Sequence, residues 1–421
     1  MRLFDMVGCL SSAMDLVSPE VTGHHIRVGA IAHKLGEAAG LPGAACADLA
    51  LAGMLHDLGA FSLKGRLSAL AFDAADQTHP EIGYRLLRDY PGFRRAAELV
   101  RLHHATWNPG CQPKKVFWPD SELGNLLCLA DRVEALMPRG AEGMLDLEAI
   151  LTRIRDGSGS LFNPWWVEAL ETLAAPGGFL EETASSDVGV RHMAVPQEHN
   201  PELSGREVSR LARLFSQIID FRCRFTSTHS RGVAATAMAM AHELHLSGDN
   251  RDLIEVASEL HDLGKLGVPS EIIMKPSALD QAEMAIMRLH AEHGFNALAG
   301  APALAGVAEL VGQHHERLDG SGYPLALKGD RIGLASRVLA ISDVFTAMSE
   351  DRPYRAGIEL RTVIETLSDM ARRKFLDQDV VGLVASKRDY LDEVRRQAQA
   401  QALHDFEWFA AGLASPECAI E

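Results

Sequence analysis

Histidine- and aspartate-bearing segments recur in the two halves of this chain at matched intervals, and nothing else limits its fold as tightly. His229 precedes the doublet His261-Asp262 by 32 residues, and His24 precedes the doublet His56-Asp57 by 32. His290 precedes His314-His315 by 24, and His79 precedes His103-His104 by 24. Each series ends on an aspartate: Asp343 comes 28 residues after His315, and Asp131 comes 27 after His104. Self-similarity at fixed offsets marks a duplicated unit. A length of 421 residues accommodates two domains, each able to bury a core. Aromatic residues are only 6% of the chain, alanine and leucine abound, and alternating runs are scarce, which predicts an all-α fold of two tandem helical domains. The expected boundaries are 1–180, a breaker-rich linker over 181–204, and 205–421 with a helical tail.

The C-terminal set is His229, His261, Asp262, His290, His314, His315 and Asp343, and each lies in a segment that reads as helix or helix end. His290 closes Met284-Ala285-Ile286-Met287-Arg288-Leu289, an apolar face at helical spacing. Ionisable groups on apolar faces are costly to bury alone, so a cluster of them implies compensation by a shared cation. Imidazole and carboxylate together suit iron, manganese or zinc. One oxygen of Asp262 can sit on each of two ions, and two ions can activate water and clamp a phosphate. Lys265, four residues after His261 on the same helical side, is expected to point at the same pocket.

These segments resemble the HD-GYP family of the HD phosphohydrolase superfamily. The resemblance runs from about residue 205 to about 385. It is carried by Phe225 to Ser230, His261-Asp262-Leu263-Gly264-Lys265, Leu289 to Gly294, His314 through Pro324, and Gly329 through Arg355. The string from His314 to Pro324, with the pattern HHExxDGxGYP, is the most specific part. The resemblance implies two divalent ions, iron or manganese. His229, His261, Asp262 and Asp343 would hold one; Asp262, His290, His314 and His315 would hold the other. Some members carry a glutamate for a third ion four residues before the first histidine; Phe225 stands there, which implies two. Lys265 and Asp262 would be catalytic, and Arg317, Tyr323, Arg352 and Arg355 would meet the substrate. That substrate would be cyclic di-GMP, opened to the linear dinucleotide and then to GMP, or alternatively 3′,3′-cyclic GMP-AMP. A non-catalytic dinucleotide sensor or scaffold is the third reading. The loop ending at Pro324 would also dock a diguanylate cyclase-type partner.

The N-terminal copy keeps the seven donor types as His24, His56, Asp57, His79, His103, His104 and Asp131, a second candidate metal site. It departs where catalysis would lie. Ala60 replaces Lys265, Ala105-Thr106 replaces Glu316-Arg317, and Trp107-Asn108-Pro109-Gly110-Cys111 replaces the last part of the string. Glu20 stands four residues before His24 and reads as a solvated loop residue. The copy reads as a metal-competent regulatory domain; a dimerisation module and a hydrolase for another phosphate stay open.

A net charge of −16 without a basic block excludes non-specific duplex nucleic-acid binding, which needs phosphate neutralisation. Six scattered cysteines with no CxxC read as reduced thiols, and no apolar run reaches membrane-spanning length. A cytoplasmic protein that does not engage a membrane is expected. The tail from Lys387 to Ala411 reads as an amphipathic helix that caps a domain or supports a homodimer.

Overall fold

The computed structural model describes residues 1–16, 22–60, 78–107, 119–138, 145–175, 177–184, 193, 195–221, 227–351 and 356–411. The fold is all-α. Among the described residues the only extended pairings are the isolated bridges Arg2 with Glu202 and Ser158 with Phe162. The chain divides into two compact units, Arg2–Glu202 and Leu203–Ala414, with Met1 joining the latter.

The N-terminal unit comprises α1 (Leu3–Asp15), α2 (His24–Ala38), α3 (Gly43–Leu55), α4 (Thr78–Leu87), α5 (Arg94–Leu102), α6 (Asp120–Ala135), α7 (Leu147–Asp156), α8 (Pro164–Ala174) and α9 (Phe179–Ala184). Helix α3 is apolar nearly all round and is buried accordingly. It crosses α2 at a glycine pair: a Cβ on Gly53 would stand 2.6 Å from the Gly29 Cα. Helix α2 also packs on α6, and α5 packs on both α4 and α6. The five helices that carry or end on the histidines and Asp131 therefore surround one centre.

The C-terminal unit comprises α10 (Gly205–Asp220), α11 (His229–Glu243), α12 (Gly248–Leu260), α13 (Ser270–Ile273), α14 (Gln281–Ala299), α15 (Ala305–Gln313), α16 (Leu334–Ser349), α17 (Leu360–Arg372), α18 (Gln378–Ser386) and α19 (Arg388–Ala411). Local chemistry sets several starts. Ser204 and Glu207 form a capping box at α10, and Asp280 and Glu283 form one at α14. Asp377 accepts from the amides of Asp379 and Val380 at α18. Each such cap stabilises its helix by about 1 kcal/mol.

Two local expectations need correction. Met284, Ile286 and Leu289 are 39%, 39% and 41% exposed, so the run before His290 does not face the core. The buried face of α14 is instead His290, Ala291, Gly294, Ala297 and Leu298, a stripe at helical spacing offset from those residues. Lys265 is not on the helix of His261. Helix α12 stops at Leu260, and Lys265 lies in the following 3₁₀ turn, Leu263–Gly267. Gly264 lets that turn pack tightly on α14, because a Cβ there would stand 1.9 Å from the His290 carbonyl oxygen. Gly59 repeats the device against the His79 carbonyl at 2.1 Å.

The tail is one long helix, α19, packed on α11. Leu391, Arg395, Gln399, Ala402, Phe406 and Phe409 form its buried stripe, with Phe406 and Phe409 against the Phe221 ring. Trp408 faces outward, 56% exposed.

Candidate metal centre

Within the C-terminal unit the structure brings all seven predicted donors together. His229 opens α11, and His261 ends α12. His290 lies in α14, His314 ends α15 with His315 next, and Asp343 lies in α16. The Asp262 carboxylate is divided between two groups. Its Oδ2 lies 3.4 Å from His261 Nε2 and 4.0 Å from His229 Nε2, while Oδ1 lies 3.7 Å from His290 Nε2. Asp343 Oδ1 is 3.3 Å from His229 Nε2, and His290 and His314 face each other at 3.2 Å between Nε2 atoms. Two donors about 2.0–2.2 Å from one ion stand roughly 3–4 Å apart. The spacing therefore fits cages for cations better than a hydrogen-bonded core.

Tautomers point the same way. His261 Nδ1 meets the Ser258 carbonyl at 2.8 Å, His290 Nδ1 the Met287 carbonyl at 2.6 Å, and His314 Nδ1 the Val311 carbonyl. A carbonyl only accepts, so each Nδ1 carries the proton and each Nε2 keeps its lone pair for the centre. His261 Nε2 is buried with no hydrogen-bond partner. Buried polar atoms are seldom left so, and an ion is the partner this donor set suits.

The electrostatics match. Burial pushes His290 down to about 3, and it pushes His314 and His315 below their ordinary value too. Burial would raise Asp262, but Lys265 and then His261, His290 and His229 outweigh it and hold its carboxyl well below the usual range. Asp343 is held low against burial by its bond with His229 and by His315. Neutral imidazoles with ionised carboxylates are the protonation state a divalent cation needs.

Lys265 Nζ donates to Asp262 Oδ2 at 2.6 Å, so it reaches the centre through an ion pair with the shared carboxylate. The loop after His315 is fastened from within. Buried Glu316 accepts from the amides of Leu325 and Leu327 at 2.7 and 2.8 Å. Gly322 lies so close that a Cβ would stand 2.4 Å from the Arg317 nitrogen. The Tyr323 ring packs on His315 with centroids 4.8 Å apart, and Arg288 stands over Tyr323 at 5.2 Å. Arg317 lies over the Phe375 ring at 4.6 Å. Arg352, Arg355, Phe225 and Glu20 lie outside the described residues.

Sequence reasoning missed a supporting layer. His229 Nδ1 donates to Glu350 Oε1 at 2.9 Å, and Gln399 of the tail helix donates to Glu350 Oε2 at 2.8 Å. Arg395 in turn donates to Gln399. Gly232 makes room for that amide, since a Cβ there would stand 2.8 Å from Gln399 Nε2. Nothing in the local sequence around Glu350 or Gln399 signals this role. Asp220 was missed as well. It is buried, accepts from the Ser230 amide and hydroxyl at 3.1 and 3.0 Å, and is pushed up to about 7, chiefly by burial.

The N-terminal unit brings its seven together in the same plan. Asp57 Oδ2 lies 3.4 Å from His56 Nε2 and 3.8 Å from His24 Nε2, while Oδ1 lies 3.1 Å from His79 Nε2 and 3.7 Å from His103 Nε2. His24 Nδ1 bonds to Glu134, as His229 bonds to Glu350, although Glu134 is three residues past Asp131 and Glu350 is seven past Asp343. Burial would lower His24, but Glu134, Asp57 and Asp131 together push it up to about 10.

Family models described as HD domain match residues 213–380 and residues 21–136. The 3'3'-cGAMP-specific phosphodiesterase 1 of Vibrio cholerae is 30% identical over 388 residues, 89% of each chain. The cyclic di-GMP phosphodiesterase response regulator RpfG of Xanthomonas campestris is 34% identical over 195 residues, 46% of this chain and 51% of that one. The crystal structure of a cyclic GMP-AMP specific phosphodiesterase of V. cholerae, V-cGAP3, shares the fold. Its TM-score is 0.63 at 22% identity, with 96% of this chain and 98% of the other covered.

Proposed function

Because this chain belongs to the HD-GYP family of HD-domain phosphohydrolases, we propose that its C-terminal unit hydrolyses a bis-(3′,5′)-cyclic dinucleotide in a metal-dependent reaction. The observation that carries the reading is the divided Asp262 carboxylate, with Lys265 on it and the Tyr323 loop beside it. His229, His261, Asp262 and Asp343 would hold one divalent ion, and Asp262, His290, His314 and His315 the other. Bound there, iron or manganese ions would supply a hydroxide nucleophile and neutralise phosphate charge.

The chain's own groups do the rest. Asp262 anchors the Lys265 ammonium at the edge of the centre, where its remaining donors meet a phosphate oxygen as charge builds. Water oxygen bonds to phosphorus, the phosphorus–O3′ bond breaks, and the 3′ oxygen leaves as a hydroxyl. A linear dinucleotide with a 5′-phosphate results, and a second cut yields mononucleotides. Tyr323 offers a ring face to a base, and Arg352 and Arg355 are assigned to the phosphates because a guanidinium fork matches two oxygens. Arg317 backs the loop from its seat on Phe375.

Cyclic di-GMP and 3′,3′-cyclic GMP-AMP are the two substrates to test, and the second gains support from the relative that spans both units. We assign the exposed Leu325 beside Tyr323 to the face that would meet a cyclase-type partner, and a cytoplasmic location and pairing as a homodimer are proposed with it. No described helix is long and apolar enough to cross a membrane. The test is an anaerobic assay of protein loaded with iron or manganese against both dinucleotides. Release of the linear product from one of them establishes the reaction and names the substrate. No release from either, with metal bound, overturns the reading.

A further inference from the structure

The N-terminal centre is not a copy of the C-terminal one, and the difference sits on its last histidine. Arg132 follows Asp131 on α6, where Val344 follows Asp343 on α16. Its Nη2 stands 3.2 Å from His104 Nδ1 and 3.2 Å from Asp131 Oδ2, with Arg132 itself 3% exposed. A guanidinium can only donate, so His104 Nδ1 must accept, and in a neutral imidazole the proton then sits on Nε2. That Nε2 faces His79 Nε2 at 3.2 Å and can serve as a donor to it. A protonated nitrogen has no lone pair for a metal. His56 and His103 are held the opposite way, each Nδ1 donating to a carbonyl, Gly53 at 2.8 Å and Val100 at 2.6 Å. Arg132 thus disarms the one ligand of the second cage that lies beside it and brings a permanent positive charge there.

The first cage keeps all its donors, and the proton that Glu134, Asp57 and Asp131 favour on His24 is one a bound cation would displace. His24 Nε2 and His56 Nε2 are 3.3 Å apart, and Asp131 Oδ1 lies 3.7 and 3.6 Å from them, with Asp57 Oδ2 completing four donors. A fifth is added. His25 stands where the other unit has Ser230, and its Nδ1 bonds to Asp15, the counterpart of Asp220. Its Nε2 is buried with no hydrogen-bond partner, and ring nitrogens of His24, His25 and His56 lie within 4.8 Å of one another. A carboxylate behind a histidine whose other nitrogen is unclaimed is the usual support of a metal ligand.

We propose that the N-terminal unit is a one-ion site, in which His24, His25, His56, Asp57 and Asp131 hold a single divalent transition-metal ion and Arg132 keeps a second one out. All five donors are buried, as in closed structural sites, and Ala60 leaves no counterpart of Lys265. The ion shapes the unit rather than turning over a substrate.

The count is read in a chain whose C-terminal centre has been removed by His261→Ala with Asp262→Ala, so that it does not depend on the hydrolase reading. Purified full-length protein is equilibrated with manganese or ferrous ion and its metal measured by mass spectrometry. One ion per chain should remain. His56→Ala added to this background should lose it, and His104→Ala should keep it. Arg132→Leu should raise the count to two. Retention of two ions before Arg132 is changed, no ion at all, or loss on His104→Ala would each overturn the proposal. The unsubstituted chain should hold three. A fall by fewer than two ions on removing the C-terminal centre would instead contradict the two-ion reading of that centre alone.

Discussion

In the C-terminal unit the last histidine, His315, is half-buried, with Asp343 3.8 Å from its Nδ1 and the Tyr323 ring packed against it. In the N-terminal unit its counterpart, His104, is buried, with the Arg132 guanidinium on Nδ1 and burial pushing it down to about 4. The cages behind these residues are alike: an aspartate divided between two groups of histidines, glycines that let the helices touch, and a glutamate behind the first histidine. The contrast teaches that the repeated donors specify a place for cations, while the residues one shell outward decide what the cations do. One unit adds a lysine on the shared carboxylate and a fastened loop. The other adds a buried arginine and an extra histidine.

Removing the lysine is the hardest blow to that contrast short of removing donors. Lys265→Ala should keep both ions and lower kcat by about 10²–10³-fold, the effect of deleting one donor to a developing negative charge. Loss of metal in this variant, measured alongside turnover, would place Lys265 among the scaffold residues instead. The loop comes next. Gly322→Ala has no room for its Cβ beside the Arg317 nitrogen, so Tyr323 must shift. A displacement of about 1 Å can lower the rate by about 10²-fold. Steady-state kinetics should show kcat/KM falling with metal content unchanged; an unchanged kcat/KM would remove the loop from the site.

Gln399→Leu tests whether the tail helix belongs to the centre. It breaks the bond to Glu350 and frees the carboxylate that orients His229. Losing such outer support typically lowers metal affinity or activity by about 10–100-fold. Metal titration should show weaker binding, with Gln399→Glu no better; unaltered binding would leave α19 as packing only. The smallest effect concerns Asp220, which burial pushes up to about 7. The folded chain keeps a proton there that the unfolded chain has released above about pH 4, so stability falls as pH rises from about 4 to 7. In the metal-free protein, Asp220→Asn should flatten that slope in urea midpoints compared at pH 5 and pH 7. An unchanged slope would assign the pH dependence to other groups.

Much of the centre was legible because metal donors are chemically distinctive and recur at fixed offsets. His229 and His24, His261 and His56, and the divided aspartates could be paired by counting alone. The all-α fold followed from composition. The supporting residues were not legible, because an outer carboxylate need only reach a point in space. Glu134 and Glu350 perform one task from different offsets, and Gln399 arrives from a helix more than 160 residues past His229. Arg132 was visible as a basic residue, but its meaning depends on which imidazole nitrogen it meets. Lys265 was assigned to the right neighbourhood by the wrong element, since periodicity could not show that the helix before His261 ends at Leu260 and a 3₁₀ turn follows.

The account rests most heavily on the claim that hydrolysis belongs to the C-terminal centre and not to its repeat. The direct measurement is turnover of the favoured cyclic dinucleotide by Asp262→Ala and Asp57→Ala under identical metal loading, with helicity checked by circular dichroism. The account predicts that Asp262→Ala falls to background while Asp57→Ala stays within a few-fold of the unsubstituted rate, each variant having lost metal from its own unit. Turnover surviving in Asp262→Ala and vanishing in Asp57→Ala would contradict it.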